Sequence, residues 1–339
     1  MSSNLNPDGL ILSGEYARTM DNTVLPFLES REKVSIVPGT DEKPLYTVSY
    51  EADNPEGTVF LVHGFTENAY KYAELIYSLL YRHFCVVAYD QRGHGRSWRD
   101  DGIPDPSVTH VGRFDDYVED LHRICEACQS AMPKPWVVFA HSMGGGVASL
   151  FLEKYPDVFC GAVLSSPMIA PNLSGIPTAI ASLIANAGCV LGRAKSNPFF
   201  MKRYSGPESF ESSCATDPSR FAWYDAVKAS RKEFQNSVPS YQWIRESIGV
   251  TRKLLAPGAP ERISCPVLLF SAEEDSTVLP EPQKQFIARV GNGNRILVSG
   301  SRHEIFRSTD EVLFPWWHQV LDFCQKAVNG TVHGTGGQA

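Results

Sequence analysis

The chain lacks any long apolar run at its start. "MSSNLNPDGLILSGEYARTMDN" has neither the basic beginning nor the continuous hydrophobic stretch of a secretory leader or anchor, so a cytoplasmic location is expected. Positive charge is also short: 31 Lys and Arg stand against 38 Asp and Glu, a net charge of −7 that argues against a general affinity for nucleic acid. A disulfide pattern is missing too. The eight cysteines lie scattered at 85, 125, 128, 160, 189, 214, 265 and 324, in a chain too large to need staples, and read as reduced thiols. Cys125 and Cys128, with His122 nearby, have CxxC spacing. They share a helical stripe with Phe114, Val118 and Leu121, which turns both thiols to the core and leaves no metal or redox site expected. There is no internal repeat.

At 339 residues, 43% of them hydrophobic, the chain exceeds the roughly 250–300 residues at which single cores stop growing, so a second module is expected. Apolar runs alternate with amphipathic stretches. Residues 58–64, 84–90, 136–142, 159–167, 265–275 and 294–300 read as buried strands, and 68–82, 114–131, 144–155, 281–290 and 311–327 as helices. That alternation implies an α/β fold with a mostly parallel central sheet covered by helices on both faces. "KVSIVP" and "LYTVSYEA" are expected as antiparallel strands at its start.

The alternation breaks between 167 and 262, a segment rich in Pro, Ser and aromatics. It is expected to be a helical cap over the C-terminal edge of the sheet, where open α/β sheets bind ligands. The core is then 1–166 plus 263–328, and 329–339 a disordered tail. Within the cap, Ile176, Ile180, Leu183, Ile184, Ala187, Val190 and Leu191 form one helical stripe, expected to pack on the main domain. Its Pro177, Asn186 and glycines make it too interrupted to span a bilayer.

"FAHSMGGG" places Ser142 where a strand ends and a helix begins. Small residues at 140, 144 and 145 suit the tight turn of a G-x-S-x-G elbow, with Ala140 in place of the first glycine. Such a turn lifts Oγ above the sheet and sets the Met143 N–H at a helix N-terminus, where it can donate to an oxyanion. "LVHGFTEN" supplies a second donor in the Phe65 N–H, with Gly64 permitting close backbone approach. His63 precedes the serine and is read as shaping this loop. Downstream, "SAEEDSTV" and "SGSRHEIF" each follow a strand, so Ser142, Asp275 and His303 occur in the hydrolase order of nucleophile, acid and base. Asp275 lies deeper in its loop than Glu273 or Glu274 and has the shorter arm suited to orienting an imidazole.

With "VLPFLESRE", "NAYKYAELIYSLL", "YDQRGHGRS", "HVGRFDDYVEDL", "SSPMIA", "SYQWIRESI" and these motifs, the chain resembles the bacterial lysophospholipases within the monoacylglycerol-lipase-like (serine aminopeptidase-type) α/β-hydrolases over nearly its whole length. In that group the serine motif also commonly begins with alanine. The resemblance implies the α/β-hydrolase fold, no cofactor, and Ser142, Asp275 and His303 as nucleophile, acid and base. It implies hydrolysis of single-acyl-chain lipid esters, lysophospholipid or monoacylglycerol. For "RGHGRS" a bracing role for Arg92, His94 and Ser97 is expected. Residues 167–262 carry 12 Lys and Arg against 7 Asp and Glu, an excess that could steer the cap to an anionic lipid surface or a substrate phosphate, or else be solvated surface charge. Two other functions fit the same residues. A serine aminopeptidase would need carboxylates near the entrance to hold a substrate amine. A non-catalytic hydrolase-like binding protein usually lacks a triad member, and none is missing here.

Overall fold

The computed structural model describes residues 4–332. Its strands are β1 (Glu32–Pro38), β2 (Pro44–Tyr50), β3 (Gly57–Val62), β4 (Phe84–Tyr89), β5 (Val108–Thr109), β6 (Trp136–His141), β7 (Gly161–Ser165), β8 (Val238–Pro239), β9 (Val267–Ala272) and β10 (Gly293–Val298). All but β5 and β8 form one sheet in the order β1-β2-β4-β3-β6-β7-β9-β10. β2 runs antiparallel to both β1 and β4, and every other pair in this sheet is parallel. The alternation of strands and helices implies this mostly parallel sheet, and its arrangement is the α/β-hydrolase fold that the family resemblance implies.

Every residue of β3, β4, β6, β7 and β9 is buried, because parallel strands with helices on both faces meet no water. Neighbouring side chains along a strand feed opposite layers: Phe60 packs with Trp136 and Phe159 on one face, while Leu61 belongs to the other. The first face is covered by α4 (Asp115–Cys128), α5 (Met143–Lys154) and α9 (Pro280–Ile287). The second is covered by α3 (Ala73–Tyr81) and α10 (Asp310–Val328), whose Trp316 and Trp317 pack edge-on against Phe139, together with the N-terminal α1 (Tyr16–Thr19) and α2 (Leu25–Glu29). Cys125 and Cys128 lie in the first layer. The run expected as a buried strand at 294–300 is instead an edge, β10, with only one neighbour, and Leu297 is exposed. Beyond α10, Asn329, Gly330 and Thr331 bond back onto its last turn, so the segment expected as a disordered tail begins as a helix cap; its residues 333–339 lie outside the described residues.

The chain passes from β3 outward to β4, and β6 then pairs with the other side of β3. This reversal opens a crevice beyond the C-terminal ends of β3 and β6.

Between β7 and β9 lie α6 (Thr178–Gly188), α7 (Pro218–Ser230) and α8 (Tyr241–Leu254). The apolar stripe of α6 does not pack as expected. Leu183 is 69% exposed and Val190, just beyond the helix, 86%, and Ile180 and Leu191 are also exposed. The opposite stripe of Ala181, Ala185 and Gly188 is the buried one. A Cβ on Gly188 would stand 2.5 Å from the Tyr241 ring, so small residues let α6 lie close to α8 and the bulky ones turn outward.

The excess cations of this segment are largely spent on the core. Lys195 pairs with Asp100, Arg203 with Asp105, Lys253 with Asp115 and Arg262 with Glu153. Arg220 of α7 is wholly buried and bonds Glu74 on α3 (3.1 Å), Asp310 on α10 (2.8 Å) and the Ile11 carbonyl (2.7 Å). Removing one partner of such a cluster strands the others without compensation. Arg220→Ala should therefore cost about 3–5 kcal/mol, whereas Lys195→Ala, in a pair open to water, should cost under about 1 kcal/mol. Urea unfolding of the two variants checks the ranking.

Candidate active site

Ser142 links β6 to α5 with φ 52° and ψ −120°, a backbone conformation that side-chain-bearing residues rarely adopt. The turn holds because α5 comes hard against the end of β3. A Cβ on Gly144 would lie 2.3 Å from the Val62 carbonyl oxygen, and one on Gly145 would lie 2.5 Å from Pro167. Ala140 is completely buried behind them.

His303, in the loop after β10, meets Ser142 Oγ through Nε2 at 2.7 Å, and its Nδ1 meets Asp275 Oδ2 at 2.8 Å. The Asp275 Oδ1 accepts the Thr277 and Val278 amides at 2.8 and 3.1 Å. Burial acts to raise this carboxyl, but the His303 contact and the two amides outweigh it and hold it below the ordinary aspartate value. Glu273 turns away to the Gly300 amide and Glu274 is exposed, so Asp275 alone of the three carboxylates reaches the imidazole.

Gly64 brings the loop after β3 against the serine: a Cβ there would stand 3.0 Å from Ser142 Cβ. Phe65 follows it, and Met143 opens α5. Neither amide donates to another protein group among the described residues. Trp243 of α8 lies on the Phe65 ring at 4.1 Å, and Ser142 and His303 are both buried.

His63 is turned away from the serine. Its Nε2 accepts the Gln91 amide at 2.9 Å and its Nδ1 meets the Gly64 carbonyl. Arg92 is held by Asp120 through Nε and Nη2 at 2.5 and 2.6 Å, and Ser97 ties β2 to the same loop. These contacts are bracing. Sequence reasoning passed over Glu67, Lys71 and Glu304, which form a buried ion-pair chain beside the site. The available signals were Glu67 three residues after Gly64 and Glu304 next to His303.

A model of the family described as serine aminopeptidase, S33, matches residues 53–310. The chain belongs to this family. Lysophospholipase L2 of Escherichia coli (strain K12) is 30% identical over 310 residues, spanning 84% of this chain and 85% of that protein. The monoacylglycerol lipase of Mycolicibacterium smegmatis is 25% identical, over 79% and 89% of the two chains. Among solved structures, the Paleococcus ferrophilus monoacylglycerol lipase shares the fold, with a TM-score of 0.64 at 24% identity over 84% of this chain and 99% of that one. In this S33 member the elbow, with Ala140 at its start, sits on a hydrolase sheet.

The crowding at the elbow has a measurable consequence. Gly144→Ala should destabilise the protein by about 3 kcal/mol, since the obstructing atoms are backbone carbonyls that cannot rotate away. Gly249→Ala, in α8 with nothing near its Cβ position, should instead be neutral or stabilising by up to about 1 kcal/mol. Thermal unfolding of both variants separates the two cases.

Proposed function

We propose that the protein is a serine hydrolase that cleaves the carboxylic esters of single-acyl-chain lipids, lysophospholipids first and monoacylglycerols second, through an acyl-enzyme on Ser142. The observation that carries this reading is the unbroken hydrogen-bonded line from Ser142 Oγ through both nitrogens of His303 to Asp275. His303 Nε2 takes the hydroxyl proton as Oγ bonds to the ester carbon, and Asp275 holds the tautomer and stabilises the imidazolium. The Phe65 and Met143 amides receive the oxyanion. His303 then returns the proton to the departing glycerol oxygen, and water repeats the sequence on the acyl-enzyme.

The relatives that match most of the chain bear the names of lysophospholipase and monoacylglycerol lipase, which supports an acyl-glycerol ester as substrate. In this reading residues 167–262 act as the cap. A cap roofing the serine, with Trp243 against the Phe65 ring, is expected to admit one acyl chain more readily than two. The aminopeptidase reading is weaker. The carboxylates beside the serine, Glu67 and Glu304, are buried against Lys71 and Arg307 and have no free charge for a substrate amine.

Ser142→Ala should lower ester hydrolysis roughly 10³-fold or more. Asp275→Asn should lose roughly 10⁴-fold, because the imidazole tautomer is then wrong, while Glu274→Gln keeps most of the activity. Rates are compared on lysophosphatidyl lipids, monoacylglycerols, diacyl phospholipids and aminoacyl-naphthylamides. Fastest cleavage of the amides would favour the peptidase, and near wild-type turnover by Ser142→Ala would remove the nucleophile.

The outward face of the cap also suits a membrane. Phe199 is 86% exposed and shares a groove with Arg193 and Lys202, and Val190 and Leu191 stand in the preceding turn. Arg193 and Lys202 make no ion pair among the described residues. Apolar side chains beside free cations suit an anionic lipid surface. No helix among the described residues is long and apolar enough to cross a bilayer, so this contact is peripheral in the proposed reading. Sedimentation with anionic vesicles should retain the protein, and Val190→Asp with Phe199→Asp should cut the bound fraction about tenfold while turnover of a short soluble ester stays unchanged. Equal binding by the variant would remove this surface.

A further inference from the structure

Beside the Ser142 site lies a chain of buried charges that the mechanism above does not use. Glu67 Oε2 accepts the Gly64 amide at 2.6 Å and the Tyr72 hydroxyl at 2.5 Å. Its Oε1 accepts Lys71 Nζ at 2.8 Å, and the same Nζ reaches Glu304 Oε1 at 2.6 Å. Glu304 Oε2 accepts Arg307 Nη1 at 2.7 Å, and Arg307 Nη2 donates to the Arg220 and Phe221 carbonyls of α7. The chain runs from the loop carrying Phe65, past the residue adjoining His303, into the segment that covers the site.

We infer that Glu67 is a positioning residue for oxyanion stabilisation, holding the Gly64–Phe65 peptide so that the Phe65 amide faces the serine; the inference rests on the proposed function above. Three observations carry it. The Gly64 amide is committed to Glu67, so it cannot serve the substrate, and the neighbouring Phe65 amide is left as the donor of this loop. The loop is under backbone strain, with Thr66 at φ 62°, and Glu67 closes it on Gly64 while itself anchored beyond the loop by Lys71 and Tyr72. Finally, the holding group is a carboxylate kept ionised in a dry place. Burial acts to raise Glu67, but the Lys71 ammonium outweighs it and holds the carboxyl well below the ordinary glutamate value. An ionised acceptor grips an amide about twice as strongly as a neutral one, and a loop that carries an oxyanion donor must not reorganise as charge develops.

Fixing a donor affects the transition state and leaves ground-state binding alone, which gives a test that a merely structural role would not pass. An alkyl trifluoromethyl ketone adds to a reactive serine as a hemiketal oxyanion and so reports on the oxyanion donors directly. In the full-length protein, Glu67→Gln should lower kcat about 10- to 100-fold with KM within about twofold. The ketone's Ki should rise by the same factor as kcat falls. Tyr72→Phe removes only one donor to Glu67 at constant ring volume, and should show the same paired change at about 3- to 10-fold. It decides the matter if Glu67→Gln does not fold. Unchanged ketone affinity in a folded variant, whether kcat falls or not, would overturn the positioning role. Failure of the wild-type protein to form the ketone adduct at all would instead overturn the proposed function, and the inference with it.

Discussion

Everything at the site depends on how closely the first turn of α5 approaches the end of β3. The carbonyls of Val62 and His63 stand where a side chain on Gly144 would be, so that contact exists only with glycine. It forces Ser142 into its left-handed conformation, presents the hydroxyl above the sheet, and sets the N-terminus of α5 beside the loop after β3. A helix N-terminus and two uncommitted amides then share one crevice without any cofactor being required for the proposed chemistry. The strain is balanced by burial: Ala140, Met143 and Val147 around the turn are completely enclosed.

Charge does two different jobs in this chain. Five cations between β7 and β9 are fastened to core carboxylates, with Arg220 at the centre and exposed pairs at the margin. These five thus complement an acidic core, and Arg193 and Lys202, which share a groove, are among those left for a phosphate or a lipid surface. A net count overstates the field a substrate meets, because a paired charge is largely cancelled at a distance. Beneath the crevice, the alternation Glu67, Lys71, Glu304, Arg307 keeps four ionised groups in a dry interior, each flanked by the opposite sign.

The same close-packing logic explains the outward stripe of α6. Ala181, Ala185 and Gly188 recur at helical spacing and admit α8 to near contact, and dispersion gains there depend on backbone proximity. The bulky residues could not approach as closely and face water instead. Periodicity shows that a helix has a bulky apolar side, and only the neighbour decides which side it packs.

The sequence by itself determined the sheet, the elbow and the order Ser142, Asp275, His303, because each is written in local patterns: buried β-branched runs, three glycines after a serine, and loop residues following predicted strands. Bringing residues 142, 275 and 303 within hydrogen-bonding distance follows once β6, β9 and β10 run parallel in one sheet, with only β7 between β6 and β9, since all three residues then leave the same edge. Three features were decided only in the folded molecule. Leu297 is exposed because β10 has no strand on its far side, which no local pattern records. Arg220 is buried because Glu74 and Asp310, 146 and 90 positions away, converge on it. Glu67 and Glu304 are 237 positions apart, and join through Lys71 because the loops after β3 and β10 meet at the sheet edge. Pairing between charges depends on distance in space, and sequence carries that information only where the partners are neighbours along the chain.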